Sequence, residues 1–192
     1  MIIGITGGTG CGKTTLLNVI DAQGGLVLDC DAIYHQLLQT DKNLLTAIET
    51  RFPGTVENGM LQRKKLGAIV FSDAQALLDL NQITHSAVRA EVIRRLEAKP
   101  KLAAIDAIAL FEGNLSPLCN VTVAVVAPEA DRIQRLMKRD NISEEYAKKR
   151  IAAQHSEAWF REHCDCILEN NGTQMQFYNK CIAFFQNLDI IE

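Results

Sequence analysis

The sequence lacks the segments that mark membrane and secreted proteins. Its apolar stretches all fall short of the roughly 18 residues that a membrane span requires. The opening MIIGIT is too short for the apolar part of a secretory leader and runs straight into a glycine-rich stretch. We therefore expect a cytoplasmic protein with no membrane partner.

The sequence also lacks an excess of positive charge. It has 20 Lys and Arg against 23 Asp and Glu, which gives a formal net charge of −3. Dedicated nucleic-acid-binding proteins usually carry a basic excess. We therefore expect no nucleic-acid partner.

The cysteines lack the spacing of a metal site. No CxxC pair and no His-rich run is present, so the sequence gives no support for zinc. Scattered thiols in a chain without a leader fit the reducing cytosol. The six are Cys11, Cys30, Cys119, Cys164, Cys166 and Cys181.

Short apolar runs alternate with stretches of helical periodicity along the chain. This alternation predicts a doubly wound α/β fold, in which five parallel strands form one sheet. The length of 192 residues and a hydrophobic content of 47% suit one domain over residues 1–192 with a real core. Within it we expect a helical insertion at about 43–99. The five predicted strands cover residues 2–6, 26–28, 102–108, 121–126 and 166–168.

A phosphate-binding loop is predicted near the start of the chain. The run Gly7-Gly8-Thr9-Gly10-Cys11-Gly12-Lys13-Thr14 satisfies the pattern G-x-x-x-x-G-K-[ST], after a predicted strand and before a predicted helix. Its backbone N–H groups and the helix N-terminus suit the phosphates of ATP or GTP. We expect Lys13 to reach the β- and γ-phosphates, Thr14 to ligate Mg²⁺ and Thr15 to contact the α-phosphate. The predicted ATP-binding residues of this segment are Gly8, Gly10, Cys11, Gly12, Lys13, Thr14 and Thr15.

Two acidic residues, Asp29 and Asp31, follow the second predicted strand. Ligands of open α/β sheets bind beyond the carboxyl ends of the strands, where a carboxylate can accept the proton of an acceptor hydroxyl. We interpret Asp31 as this catalytic base in preference to the alternative, that it only caps the next helix. For Asp29, capping of the next helix and contact with a Mg²⁺-bound water stay equally open.

A basic stretch covers two predicted helices after the fourth strand. Such a helical hairpin, here about residues 135–155, can close over a nucleotide as a lid, and arginine can supply charge to the transferring phosphoryl group. We select Arg139 and Arg150 for phosphate contacts. The alternative for each is a solvated helix face paired with glutamates.

Several motifs together resemble the dephospho-coenzyme A (dephospho-CoA) kinase family over nearly the whole chain. The loop reads GITGGTGCGKTT from Gly4 to Thr15, and other segments match in order and spacing. These segments are Asp29-Cys30-Asp31, residues 59–71, Arg135-Leu-Met-Lys-Arg139-Asp140, Arg150-Ile-Ala-Ala-Gln154 and Asn170-Asn171-Gly172.

The resemblance implies a P-loop kinase that transfers phosphate from ATP to the ribose 3′-hydroxyl of dephospho-CoA. It implies that Asp31 is the general base, that Lys13 and Arg139 share the catalytic role at the phosphates, and that Mg²⁺ is required. The insertion would receive the CoA precursor, with Arg63 and His85 as candidate substrate contacts.

The chain departs from the family pattern at a few positions. Ser86 stands where the family has the proline of a His-Pro pair, and Ile108 and Ala109 replace Pro and Leu before Glu112. These changes lie on the expected acceptor side. Cys11 replaces a common serine, which predicts a thiol-sensitive loop.

Two other classes of function remain open at this point. Another P-loop kinase, acting on a nucleoside monophosphate or a sugar, would share the fold and the catalytic parts. A nucleotide-dependent switch would be a non-enzymatic alternative, although no DxxG string follows a predicted strand, as it does in GTPases, and no NKxD string occurs.

Overall fold

The computed structural model describes residues 1–188, so the last four residues of the predicted 1–192 domain lie outside the described residues. The strands are β1 (Ile2–Thr6), β2 (Leu26–Asp29), β3 (Val56–Glu57), β4 (Met60–Leu61), β5 (Ala103–Asp106), β6 (Val121–Val126) and β7 (Cys166–Glu169). The helices are α1 (Lys13–Ala22), α2 (Cys30–Thr40), α3 (Lys42–Arg51), α4 (Arg63–Val70), α5 (Ala74–Leu96), α6 (Glu129–Asp140), α7 (Glu144–Ala152), α8 (Glu157–His163) and α9 (Gln174–Asn187), with a short 3-10 helix at Ser116–Leu118.

The main sheet confirms the predicted doubly wound α/β fold. Its five strands follow the order β2-β5-β1-β6-β7, and β1 pairs in parallel with β5 on one side and β6 on the other. Ile5 lies opposite Asp106 of β5. Because parallel strands end at the same edge of a sheet, Asp106 lies beside the point where the glycine-rich loop leaves β1.

The described chain divides into two compact units. The first contains residues 1–28, 100–110 and the chain from residue 116 onward, and the second contains residues 29–99 and 111–115. The assignment of one domain with an insertion at 43–99 and a lid at 135–155 stays a prediction.

In the first unit, α1 and α9 pack against the sheet. Ile3 and Ile5 of β1 are fully buried against Leu16 and Ile20 of α1 and Phe177 of α9. The alternation along β1 and the spacing of three to four residues along α1 place these side chains on facing surfaces. Burying each such side chain contributes roughly 2 kcal/mol, so the loop between β1 and α1 has rigid supports at both ends.

The second unit consists of helices and one β-hairpin. The hairpin was not predicted: the turn-rich residues 52–59 indicate only a surface excursion, whereas β3 and β4 form an antiparallel pair. The turn residues Asn58 and Gly59 both have positive φ, at 53° and 73°. Two-residue hairpin turns require positive φ at these positions and therefore favour Asn-Gly. Helix α8 in the first unit was also missed. Within residues 1–188, no helix combines the length and apolarity that crossing a membrane requires.

Candidate active site

The predicted phosphate loop connects β1 to α1, as the motif demands. Cys11 N donates to Gly8 O at 3.2 Å, which closes a tight turn, and α1 begins at Lys13 directly after Gly12. The first N–H groups of a helix have no intrahelical partner, and its N-terminus is therefore suited to an anion. The predicted residues lie together in this loop and the first turn of α1; their contacts with ATP stay predictions.

Lys13 lies between the loop and the end of β5. Its Nζ donates to Gly7 O at 3.3 Å and lies 3.9 Å from Asp106 Oδ1. Both side chains are largely buried, with exposed fractions of 14% and 17%. The ammonium group is thus held at the loop before any phosphate binds. Sequence reasoning did not assign Asp106 to the site, although it is the last residue of a strand next to β1.

Oxygen ligands suitable for Mg²⁺ occur beside Lys13. Thr14 is exposed in the first turn of α1, and Asp106 supplies a carboxylate. Mg²⁺ binds through one or two protein oxygens together with substrate phosphates and waters, and this pair fits that requirement. Among residues 1–188, no group of three or more His, Cys, Asp and Glu is arranged to hold a metal ion.

The two acidic residues after β2 have different surroundings. Asp29 is the N-cap of α2 and accepts a hydrogen bond from Ala32 N at 2.9 Å. Asp31 lies exposed in the first turn of α2, and within residues 1–188 its carboxylate has no hydrogen-bond or ion-pair partner. The structure therefore supports the capping alternative for Asp29. The role of Asp31 as a base stays a prediction.

The predicted lid arginines are paired with a carboxylate at the junction of α6 and α7. Arg139 Nε donates to Asp140 Oδ1 at 2.7 Å, and Arg150 Nη1 donates to Asp140 Oδ2 at 2.5 Å. Hydrogen bonds from Arg139 first and then Arg150 hold the pKa of Asp140 well below its usual range. The arginines are thereby gathered at one point, but their contact with ATP stays a prediction.

Four side chains that sequence reasoning did not select contact the loop itself. Arg132 Nε donates to Thr9 O at 3.0 Å, and Arg135 Nη1 donates to Gly10 O at 3.0 Å. The other two bonds are Asn170 Nδ2 to Cys11 O at 2.8 Å and Thr9 N to Gln154 Oε1 at 2.8 Å. These residues lie far from the loop along the chain, so local patterns did not reveal the contacts, although Arg135, Gln154 and Asn170 belong to segments that match the family pattern.

The Cys11 side chain lies in the core and not at the mouth of the loop. It is 2% exposed, and burial raises the pKa of its thiol although Arg132 and Lys13 act in the opposite direction. A thiol that is buried and protonated reacts slowly with alkylating reagents. Burial of Cys11 therefore argues against the predicted thiol sensitivity of the loop, which stays a prediction.

The two candidate substrate contacts lie in different places within the second unit. His85 lines a groove of about 580 Å³ between one face of α5 and residues 112–114. Arg63 lies outside the lining of this groove, with its Nη2 3.4 Å from His35 Nδ1. Ser86 and Arg89 also line the groove, and Arg89 Nε donates to Asn114 O at 2.9 Å. Substrate contact by either candidate stays a prediction.

Comparison with known proteins gives consistent matches. The family model described as dephospho-CoA kinase matches residues 1–176. The dephospho-CoA kinase of Shouchella clausii (strain KSM-K16) is 34% identical over 186 residues, which cover 94% of each chain. Dephospho-CoA kinase CAB5 of Saccharomyces cerevisiae is 34% identical over 191 residues, covering 94% of this chain and 79% of the yeast protein. The crystal structure of TT1252 from Thermus thermophilus has a TM-score of 0.84 at 30% identity and covers 98% of this chain and 97% of that one.

Proposed function

Because the chain belongs to the dephospho-CoA kinase family and phosphorylates dephospho-CoA, we propose that ATP is the phosphoryl donor and that the ribose 3′-hydroxyl is the acceptor. The observation that carries the proposal is the loop between β1 and α1, with Lys13 held at its mouth by Gly7 and Asp106. A loop of this kind binds nucleotide phosphates, and the family supplies the acceptor.

The donor end of the reaction belongs to Lys13 and the loop backbone. The loop N–H groups and the start of α1 bind the phosphates, while Lys13 neutralises charge that develops on the transferred group. Thr14 and Asp106 would hold Mg²⁺, which neutralises phosphate charge when bound. Arg139 and Arg150 add positive charge to the same phosphates once they leave Asp140.

The proton step belongs to Asp31. Its carboxylate accepts the proton of the 3′-hydroxyl as the hydroxyl oxygen forms a bond to the γ-phosphorus of ATP. The bond between that phosphorus and the β–γ bridging oxygen breaks, and ADP leaves. Support comes from the exposed position of Asp31 just beyond β2 and from the alternative task that Asp29 performs as a cap.

The acceptor end belongs to the second unit. We assign the groove along α5 to dephospho-CoA, with His85 in its lining. Arg63 is a second contact in this proposal, at the separate position beside His35. The groove combines apolar and polar side chains, which suits a ligand with a long neutral arm.

The cytoplasmic location expected from the sequence is part of the same proposal. None of the six cysteines, which all lie within residues 1–188, forms a disulfide bond, and reduced cysteines are usual in reducing compartments. The acceptor is a small molecule, and no nucleic-acid partner is proposed.

Product analysis tests the proposal directly. The protein is incubated with ATP, Mg²⁺ and dephospho-CoA, and the products are analysed by ³¹P NMR and chromatography. The proposal predicts ADP and CoA in equal amounts, with the new phosphomonoester at the 3′ position. A phosphate at the 2′ position, or ADP release without acceptor phosphorylation, would contradict it.

A further inference from the structure

The loop between β1 and α1 is held from outside by side chains of other elements. Arg132 bonds to Thr9 O from α6, and Asn170 bonds to Cys11 O from the residue after β7. In a planar trans peptide, the carbonyl oxygen and the N–H group of the next residue point in opposite directions. The bond at Thr9 O therefore turns Gly10 N–H away from α6, and the bond at Cys11 O turns Gly12 N–H away from Asn170.

The position of Asn170 is fixed by contacts outside the loop. It is 5% exposed, and its backbone N donates to Val126 O at 2.8 Å, which ties it to the end of β6. A buried amide must be hydrogen-bonded or it costs free energy, and its Nδ2 donates to Cys11 O. Asn170, tied to the ends of β6 and β7, thus supplies the shorter of two hydrogen bonds to Cys11 O, the other coming from Arg135 Nη1 at 3.4 Å.

The close approach of these side chains explains two glycines of the motif. Gly12 has a φ of 100°, and a Cβ there would collide with Asn170 Nδ2. A Cβ at Gly8 would collide with the Arg132 guanidinium. At Gly12 a larger residue is excluded by the positive φ and by Asn170, whereas at Gly8 the Arg132 guanidinium would have to move and break its bonds.

Gln154, which follows the helix pair α6–α7, hydrogen-bonds both to the loop and to Arg132. Its Oε1 accepts from Thr9 N at 2.8 Å and from Arg132 Nη2 at 3.2 Å. The N–H and C=O groups of Thr9 are therefore both bonded to side chains. Any motion of the segment after α7 must break or carry these bonds.

We infer that Asn170 is a positioning residue for nucleotide binding, with Arg132 as its counterpart at the other end of the loop. Asn170 contacts no phosphate in this account; it aims the Gly12 N–H into the cradle before the nucleotide arrives. Donors that are already oriented bind without paying a cost for ordering. The inference rests on the proposed nucleotide site and is independent of which acceptor is used.

Binding of ADP with Mg²⁺, measured by titration calorimetry, tests this inference without an acceptor. The variants are Asn170→Ala, which removes the donor, and Asn170→Asp, which replaces the amide by a carboxylate. Asn171→Asp makes the same change at the exposed neighbour, whose Oδ1 accepts from Lys180 Nζ at 2.9 Å. Loss of one buried hydrogen bond predicts a Kd increase of about tenfold for Asn170→Ala, with Asn171→Asp within about twofold of the parent protein.

The Asn170→Asp variant adds a readout that a merely structural role would not change. A buried carboxyl that faces a carbonyl oxygen has a raised pKa, although Lys13, Arg132 and Arg135 lie near Cys11 and act in the opposite direction. When protonated it donates to Cys11 O, so its ADP affinity, relative to the parent protein, rises between about pH 8 and pH 5.5. A Kd for Asn170→Ala within about twofold of the parent would overturn the inference. So would an equal loss in Asn171→Asp or a loss in Asn170→Asp that does not respond to pH.

Discussion

The ammonium group of Lys13 lies 3.9 Å from the carboxylate of Asp106, where the phosphate loop and the end of β5 meet. Lys13 opens α1 directly after the loop that leaves β1, and Asp106 ends β5, which pairs in parallel with β1. In the proposed reaction, Lys13 would supply a cation for the phosphates and Asp106 an oxygen ligand for Mg²⁺. The two charges also balance each other before substrates bind, which reduces the cost of keeping either one largely buried.

Asp106→Asn should weaken the response to Mg²⁺ more than the binding of nucleotide. The amide keeps the shape but removes the negative charge that a hard cation prefers. We expect the Mg²⁺ concentration for half-maximal activity to rise about tenfold or more, measured from initial rates at fixed ATP. Asp21→Asn, on the exposed side of α1, is the matched control and should leave this concentration unchanged. An unchanged Mg²⁺ response in Asp106→Asn would remove Asp106 from the metal site.

Asp31→Asn should abolish most turnover while ADP binding stays nearly intact. Loss of a general base costs on the order of 10²-fold or more in rate, and Asn cannot accept the hydroxyl proton. Asp29→Asn is the control two residues earlier, because Asn is as good an N-cap as Asp and the cap of α2 would survive. Single-turnover rates and ADP titrations of both variants separate the effects. Equal rates for the two variants would show that Asp31 is not the base.

Arg139→Gln should lower the turnover number on the order of 10²-fold, as expected for loss of a donor to the transferring phosphoryl group. Arg161→Gln is the comparison, since Arg161 lies on an exposed helix and is also engaged in ion pairs, with Glu157 and Glu169. Steady-state kinetics at saturating ATP provide the measurement. Full activity in both variants would show that Arg139 only pairs with Asp140 and does not act on the transferring phosphoryl group.

The ionised carboxylate of Glu91 should stabilise the folded protein at neutral pH and lose this effect in acid. Hydrogen bonds from Arg94 first, and also from Arg95, lower the pKa of its carboxyl from 4.5 to about 2. A pKa lowered in the folded state adds stability above 4.5 that is lost as pH falls towards 2. Glu91→Gln should therefore lower the Tm at pH 7 by roughly 2–4 °C, or about 1 kcal/mol after solvent screening. Thermal melts should show that difference shrink below about pH 4.5. The exposed control Glu162→Gln should show no such difference, and a constant gap for Glu91→Gln would contradict the assignment.

Local patterns in the sequence were enough to predict the sheet and the loop. The apolar run Ile2–Thr6 followed by glycines marked β1, and the loop pattern placed the start of α1 within one residue. The hairpin at Asn58 and Gly59 carried its own signal in the Asn-Gly pair, which was missed within a turn-rich segment.

The hydrogen bonds from distant side chains to the loop could not be predicted in the same way. Asn170 bonds to a residue 159 positions away, and Gln154 bonds to one 145 positions away. Neither periodicity nor spacing reports such contacts, because they arise only when β6 and β7 bring distant segments to one edge of the sheet. Burial of the Cys11 thiol was missed for the same reason, since the core that covers it comes from later strands and α9.

The choice of acceptor separates a dephospho-CoA kinase from other P-loop kinases. Initial rates of ATP consumption are measured with dephospho-CoA, AMP, CMP and gluconate as acceptors, each at several concentrations. We expect kcat/KM for dephospho-CoA to exceed every other value by on the order of 10³-fold, since discrimination through several polar contacts reaches this size. Comparable or higher kcat/KM for AMP, CMP or gluconate would contradict dephospho-CoA as the acceptor, whatever the affinity for ATP.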